Sequence, residues 1–267
     1  MSGFKARAIT AAVFSISIVA LVLISDVTTV LMTSTLSGLC AFELYHMLRN
    51  DAKLPNELLG TVVAAAYPLV YAVWHFDGLL SLTLVFACTL LIWYVFYTPA
   101  RITDVAVTLF GACYTGLMLS SLVMIRDVLP GFWGGVLVFG VLLSVWANDT
   151  FAYLIGSKFG KHPMAPRISP KKSWEGFVAG IIMSIAVWCL FPLIPGLELP
   201  FGWAIFGGLA CGWIGMLGDL VESRIKRNTG FKDSGTLLPG HGGFLDRCDS
   251  LIAVAAVASL LFRFIGL

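Results

Sequence analysis

The run LLSLTLVFACTLLIWYVF, Leu79 to Phe96, holds eighteen residues and no charge. An amphipathic helix of a water-soluble domain needs a polar face, and this run has none. Eighteen or more apolar residues make a helix long enough to cross the hydrocarbon core of a bilayer. Working outward, comparable runs lie near 8–25, 27–48, 57–76, 78–97, 104–125, 131–157, 175–194, 201–223 and 248–266, about nine spans. The first follows Lys5 and Arg7 but is too long for a signal peptide, and no small-residue cleavage site follows it. It is expected to remain as a helix. Pro68, Pro130 and Pro192 are expected to kink or bound helices.

Composition points the same way. The 267 residues are 58% hydrophobic and 12% charged, with a mean hydropathy of +0.91. Soluble domains run about 45–50% apolar and about 25% charged, so this chain lacks the polar surface of a globule in water. Six cysteines (Cys40, Cys88, Cys113, Cys189, Cys211, Cys248) are scattered without a CxxC pair, which suits packing rather than a disulfide or zinc framework. The expected fold is all-α: a polytopic transmembrane bundle of about nine helices, one membrane-embedded domain over 1–267.

Charge sets the orientation. With the N-terminus cytosolic, 15 of the 17 Lys and Arg residues fall on the cytosolic side, and only Arg126 and Arg263 lie opposite. That is the positive-inside bias. Most connections are short. The exceptions, about 158–174 and 224–247, are cytosolic and hold most of the charge; topology and attraction to anionic lipid would by themselves account for basic loops, and an active site at the cytosolic face is expected only with the acidic residues that flank them.

Asp219, Glu222, Ser223 and Lys226 stand at i, i+3, i+4 and i+7, so one helix face presents them all. Asp246, Asp249 and Ser250 repeat the i, i+3, i+4 pattern where the last span begins. Carboxylates in membrane helices are costly, at least about 2.5 kcal/mol at mid-depth, and usually face a partner or a polar cavity. Asp219, Asp246 and Asp249 are expected to hold Mg²⁺ or a pair of cations, since Mg²⁺ takes a few carboxylates plus substrate phosphates. Glu222 is expected to pair with Lys226, Arg227 or Arg247. The intervening loop mixes Lys226, Arg227 and Lys232 with Gly230, Gly235, Gly240, Gly242 and Gly243, the residues that let backbone amides and cations approach a phosphate. His241 either donates to a phosphate or caps this loop. Asn148 and Asp149 interrupt the sixth span, where both are expensive unless used.

The stretch SRIKRNTGFKDSGTLLPGHGGFLDRCD, Ser223 to Asp249, resembles the signature of the phosphatidate cytidylyltransferase (CDP-diacylglycerol synthase) family. Ser223, Lys226, Arg227, Lys232, Asp233, Gly235, His241, Gly242, Gly243, Asp246, Arg247 and Asp249 occupy the matching positions. Cys248 departs from the family's usual aliphatic residue or threonine. The resemblance extends through Asn148-Asp149-Thr150 and Ile168-Ser169-Pro170-Lys171-Lys172-Ser173-Trp174-Glu175-Gly176. It makes 131–267 the catalytic half; helices of 1–130 resemble the family in hydropathy alone. It implies transfer of a cytidylyl group from CTP to phosphatidic acid, giving CDP-diacylglycerol and pyrophosphate. Asp219, Asp246, Asp249, Lys226 and Arg227 would be catalytic. Asn148, Asp149, Lys171, Lys172, Ser223, Arg224, Lys232, His241 and Arg247 would bind substrate. Trp174 is expected to be an interfacial belt residue.

No soluble nucleotide fold competes. Gly160-Lys161 has Ile155 where a Walker A motif needs its first glycine and His162 where it needs Ser or Thr. The alternatives are a CTP-dependent kinase of polyprenol or phytol type and, from another class, a transporter. A transporter's midplane sites and internal repeat are not visible here. Gly208-x-x-x-Gly212, followed by Gly215 and Gly218, admits a close helix, within the chain or from a second protomer of a homodimer, the former being expected. The bilayer is the expected environment, a bacterial cytoplasmic membrane given a compact chain without a targeting extension, and no nucleic-acid partner is expected.

Overall fold

The computed structural model describes residues 3–51, 53–237 and 242–267, with side chains in the first helix from residue 12 onward. The helices are α1 (Gly3–Ile24), α2 (Asp26–Arg49), α3 (Glu57–Phe96), α4 (Ile102–Ala112), α5 (Ser121–Arg126), α6 (Phe132–Phe159), α7 (Trp174–Trp188), α8 (Phe201–Thr229) and α9 (Leu245–Ile265). A π-helical segment, Cys113–Leu117, follows α4. Seven helical stretches among the described residues are long and apolar enough to cross a membrane. The chain is a polytopic helical membrane protein. Packing gathers it into two compact units, Met1–Val123 with Lys226–Cys248, and Met124–Ile225 with Asp249–Leu267. Helices α8 and α9 each contribute to both.

In the first unit, Ser25 caps α2 by accepting from the Thr28 amide at 3.1 Å. Helix α3 is 40 residues long, but His75 has φ 48° and ψ −140° and breaks it. Tyr67 and Thr83 share a hydroxyl hydrogen bond of 2.9 Å, although sixteen residues of straight helix would hold them about 24 Å apart. The two expected spans 57–76 and 78–97 are therefore two legs folded back at His75. Buried Asp104 accepts from the amides of Leu54 (2.9 Å) and Arg101 (2.8 Å), holding the α2–α3 connection to α4. At the π-helical segment the chains touch: a Cβ on Gly116 would lie 2.6 Å from the Cα and carbonyl oxygen of Ala64.

In the second unit, α6 and α7 pack closely. A Cβ on Gly176 would fall 2.5 Å from the Ala152 carbonyl oxygen and 3.0 Å from Gly156 Cα. Between these helices lies an element absent from the expected all-helical chain, a short antiparallel hairpin of β1 (Pro163–Ala165) and β2 (Ser169–Ser173). The α8 glycines are used within the chain: Gly208 and Gly212 face Ile185 and Ile181 of α7, and Gly215 and Gly218 face Val254 and Asp249 of α9. Phe177, Ile181 and Met216 form a buried cluster beneath the hairpin's Met164.

Gly116→Val should lower the thermal midpoint in detergent, by an overpacking cost of about 1–3 kcal/mol. An unchanged midpoint would mean that the π-helical segment does not pack against α3.

Candidate active site

The polar cluster of the second unit starts from the hairpin. Ser173 ends β2 and caps α7, its hydroxyl accepting from the Gly176 amide at 3.2 Å. Gly156 of α6 and Gly160, just past its end, leave room for that hydroxyl. Lys172, one residue earlier, is thereby fixed in direction. Its ammonium lies 2.6 Å from Asp219 Oδ2 of α8, and Ser223, one turn on, donates to Asp219 Oδ1 at 3.1 Å. Asp249 of α9 lies within electrostatic reach of Asp219, Glu222 and Asp149. Acids of three helices, α6, α8 and α9, thus act on one another electrostatically.

Asn148 sits at the base of this group. It is buried, its amide donates to the Gly212 carbonyl at 3.4 Å, and Gly180 and Gly215 leave the space it fills. Its Oδ1 has no hydrogen-bond partner among the described residues, nor does the buried Ser250 hydroxyl. Both residues adjoin Gly215. Buried polar atoms are nearly always satisfied, so two uncommitted oxygens beside a carboxylate group call for a ligand.

Carboxylate, amide and hydroxyl oxygens are the donor type that a hard divalent cation takes. Carboxylates gathered at close range repel unless a positive charge joins them. Among the described residues no group of three or more His, Cys, Asp or Glu side chains is placed to hold a metal ion. That is compatible with Mg²⁺, which commonly takes one or two carboxylates and completes its shell with phosphate oxygens and water.

The signature loop belongs to the first unit and is built on two carboxylates. Asp246 accepts from Lys226 Nζ at 2.6 Å and from the amides of Ser234 (2.9 Å) and Gly243 (2.8 Å). Glu43 of α2, buried, accepts from the Ser234 hydroxyl (3.0 Å) and the amides of Phe244 (3.0 Å) and Leu245 (2.9 Å). A Cβ on Gly235 or Gly243 would collide with the Glu43 carboxylate. Gly230 and Gly242 have φ of about +80°, open to glycine at low cost. These glycines and amides therefore shape the loop around its own acids.

The expected residues divide accordingly. Lys172, Asp219, Ser223, Asp149 and Asp249 meet in the second unit, with Asn148 below them. Lys226 and Asp246 meet in the first. Lys171, Arg224, Arg227, Lys232 and Arg247 are exposed, and His241 lies outside the described residues. Glu222 is fully buried beside Asp249. Trp174 is exposed, its ring edge-on to Phe177 at 5.7 Å. Glu43 was not among the expected residues, although a carboxylate inside the 27–48 span was a visible signal.

Glu43→Ala should leave two amides and a hydroxyl without their acceptor. The expected loss is about 1–3 kcal/mol for each buried donor stranded, read as a lower thermal midpoint and faster proteolysis between 231 and 247. Wild-type protection would contradict the contacts.

A model of the cytidylyltransferase family matches residues 5–265. The phosphatidate cytidylyltransferase of Bacillus subtilis (strain 168) is 30% identical over 259 residues, covering 95% of this chain and 96% of the relative. The enzyme of that name from Mycobacterium bovis is 41% identical over 157 residues, 59% of this chain and 50% of the relative. The one from Staphylococcus epidermidis is 44% identical over 119 residues, 45% and 46%. The likeness therefore reaches through the N-terminal helices as well, beyond the hydropathy expected of them. With its signature at Ser223–Asp249, the chain belongs to the cytidylyltransferase family, a family of nucleotidyltransferase enzymes.

Proposed function

We propose that this chain transfers a cytidylyl group from CTP to phosphatidate, giving CDP-diacylglycerol and pyrophosphate. The observation that carries the reading is the Lys172–Asp219 pair beside Asp249, a cation and a carboxylate group in a membrane helix bundle. It is supported by the family match and by the printed names of the relatives.

The step is a substitution at phosphorus. An oxygen of the lipid phosphate bonds to the α-phosphorus of CTP. The bond from that phosphorus to the α–β bridging oxygen breaks, and pyrophosphate leaves with the electron pair. A phosphate monoester loses its second proton near pH 6, so the nucleophile is anionic at about pH 7 and needs no strong base. The work left to the protein is positioning and neutralising anions. Lys172 exchanges Asp219 for triphosphate oxygens, and Lys171 extends the same cationic strand. Lys226, Arg227, Lys232, Arg224 and Arg247 neutralise phosphates at the loop, with His241 donating. Asn148 and Asp149 contact CTP. Ser223 orients Asp219. Asp219 and Asp249 are the residues that would hold Mg²⁺, and Asp246 would serve a second cation once Lys226 turns to phosphate. Bound there, the cation supplies charge neutralisation on phosphate oxygens. The site faces the cytosol of a bacterial cell, with the N-terminus on that side of the cytoplasmic membrane, as the distribution of Lys and Arg supports.

With purified protein, Mg²⁺, phosphatidate and CTP labelled on its α-phosphate, label should enter the lipid as pyrophosphate is released. Label confined to soluble CDP would sink the reading in favour of a lipid kinase. Asp219→Ala and Asp249→Ala should each lower kcat by about a hundredfold or more while the protein stays monodisperse. Chelation should abolish turnover and added Mg²⁺ restore it. Lys172→Ala should raise the KM for CTP about tenfold, the loss of one charge-assisted contact; an unchanged KM would remove Lys172 from the nucleotide site.

A further inference from the structure

A cavity of about 370 Å³ opens between α1 and α2. Its walls are almost wholly apolar: Phe14 and Leu21 on α1, and Leu31, Leu36 and Leu39 on α2, each set spaced along one helix face. One further wall residue comes from elsewhere, Phe244 of the signature loop. Its ring meets Phe14 edge-on at 6.0 Å, and its amide is held by Glu43. The cavity thus shares a wall with the signature loop, two residues before Asp246 of α9. From Leu39 to Thr28 it follows about 16 Å of helix into the bilayer span. Its volume lies within the range of small-molecule sites, about 300–1,000 Å³.

We propose that this groove binds one acyl chain of the lipid substrate, with Phe244 as the wall nearest the headgroup. The inference rests on the lipid-phosphate reading above and adds to it where a chain of the substrate lies. An acyl chain is the occupant that fits three features together: apolar walls, a course along membrane helices, and a wall at Phe244, two residues before Asp246. A water-soluble ligand would find no polar partner along most of that length. A bulk lipid would fill the groove without affecting selection of the substrate.

Ser17 and Thr35 line the groove with exposed side chains, so enlarging them fills it without removing a buried contact. Ser17→Phe and Thr35→Phe are assayed with dioleoyl and dihexanoyl phosphatidate in detergent. The expected result is a fall of about tenfold in kcat/KM for the dioleoyl substrate, the loss of a few buried methylenes, with the dihexanoyl value unchanged. An equal fall for both substrates would assign the effect to folding and overturn the proposal. No fall for either would give the groove to bulk lipid and overturn it as well. Wild-type turnover of the dihexanoyl substrate reports separately on the reaction itself.

Discussion

A carboxylate inside a membrane helix costs at least about 2.5 kcal/mol unless something answers it, and the organisation of this chain follows from how its acids are answered. Asp104 is met by the Leu54 and Arg101 amides, Glu43 by Ser234, Phe244 and Leu245, Asp246 by Lys226 and two amides, Asp219 by Lys172 and Ser223. Each answer ties an apolar helix to a polar connection. Acids that elsewhere would weaken a bundle fix its loops here, because a buried charge-assisted hydrogen bond is both strong and directional.

The spans were legible because hydropathy is a local property. Leu79–Phe96 needs no knowledge of its neighbours to be read as a membrane helix. The hairpin at 163–173 was not legible, since three- and five-residue strands carrying Pro163, Pro170 and two lysines give no alternating pattern. Asp219, Asp249 and Lys172 stood out in the sequence through charge placed at the ends of apolar runs. Glu43 was visible as a carboxylate inside an apolar run, but its role was not, since its three donors lie 191 to 202 residues away and spacing within α2 reveals nothing of them. Gly235 and Gly243 carried an ambiguous signal. A glycine that admits a phosphate and one that admits a buried carboxylate look alike until the neighbour is known.

The same physics suits the proposed reaction, which needs no nucleophilic side chain. Substitution at phosphorus between two polyanions is limited by bringing them together and by the charge that develops, not by making a nucleophile. Cations held in place by acids are suited to that work: they can be exchanged from carboxylate to phosphate with little reorganisation. Lys172 on Asp219 and Lys226 on Asp246 are two such pairs, each at 2.6 Å.

We propose that the carboxylates of α6, α8 and α9 receive a divalent cation together with the nucleotide. Binding of Mn²⁺, followed by electron paramagnetic resonance in the presence of CTP, addresses it without depending on turnover. The expected result is a bound, CTP-dependent Mn²⁺ signal in the wild-type protein and its loss in a folded Asp249→Asn variant. Equal binding by the two proteins would contradict it.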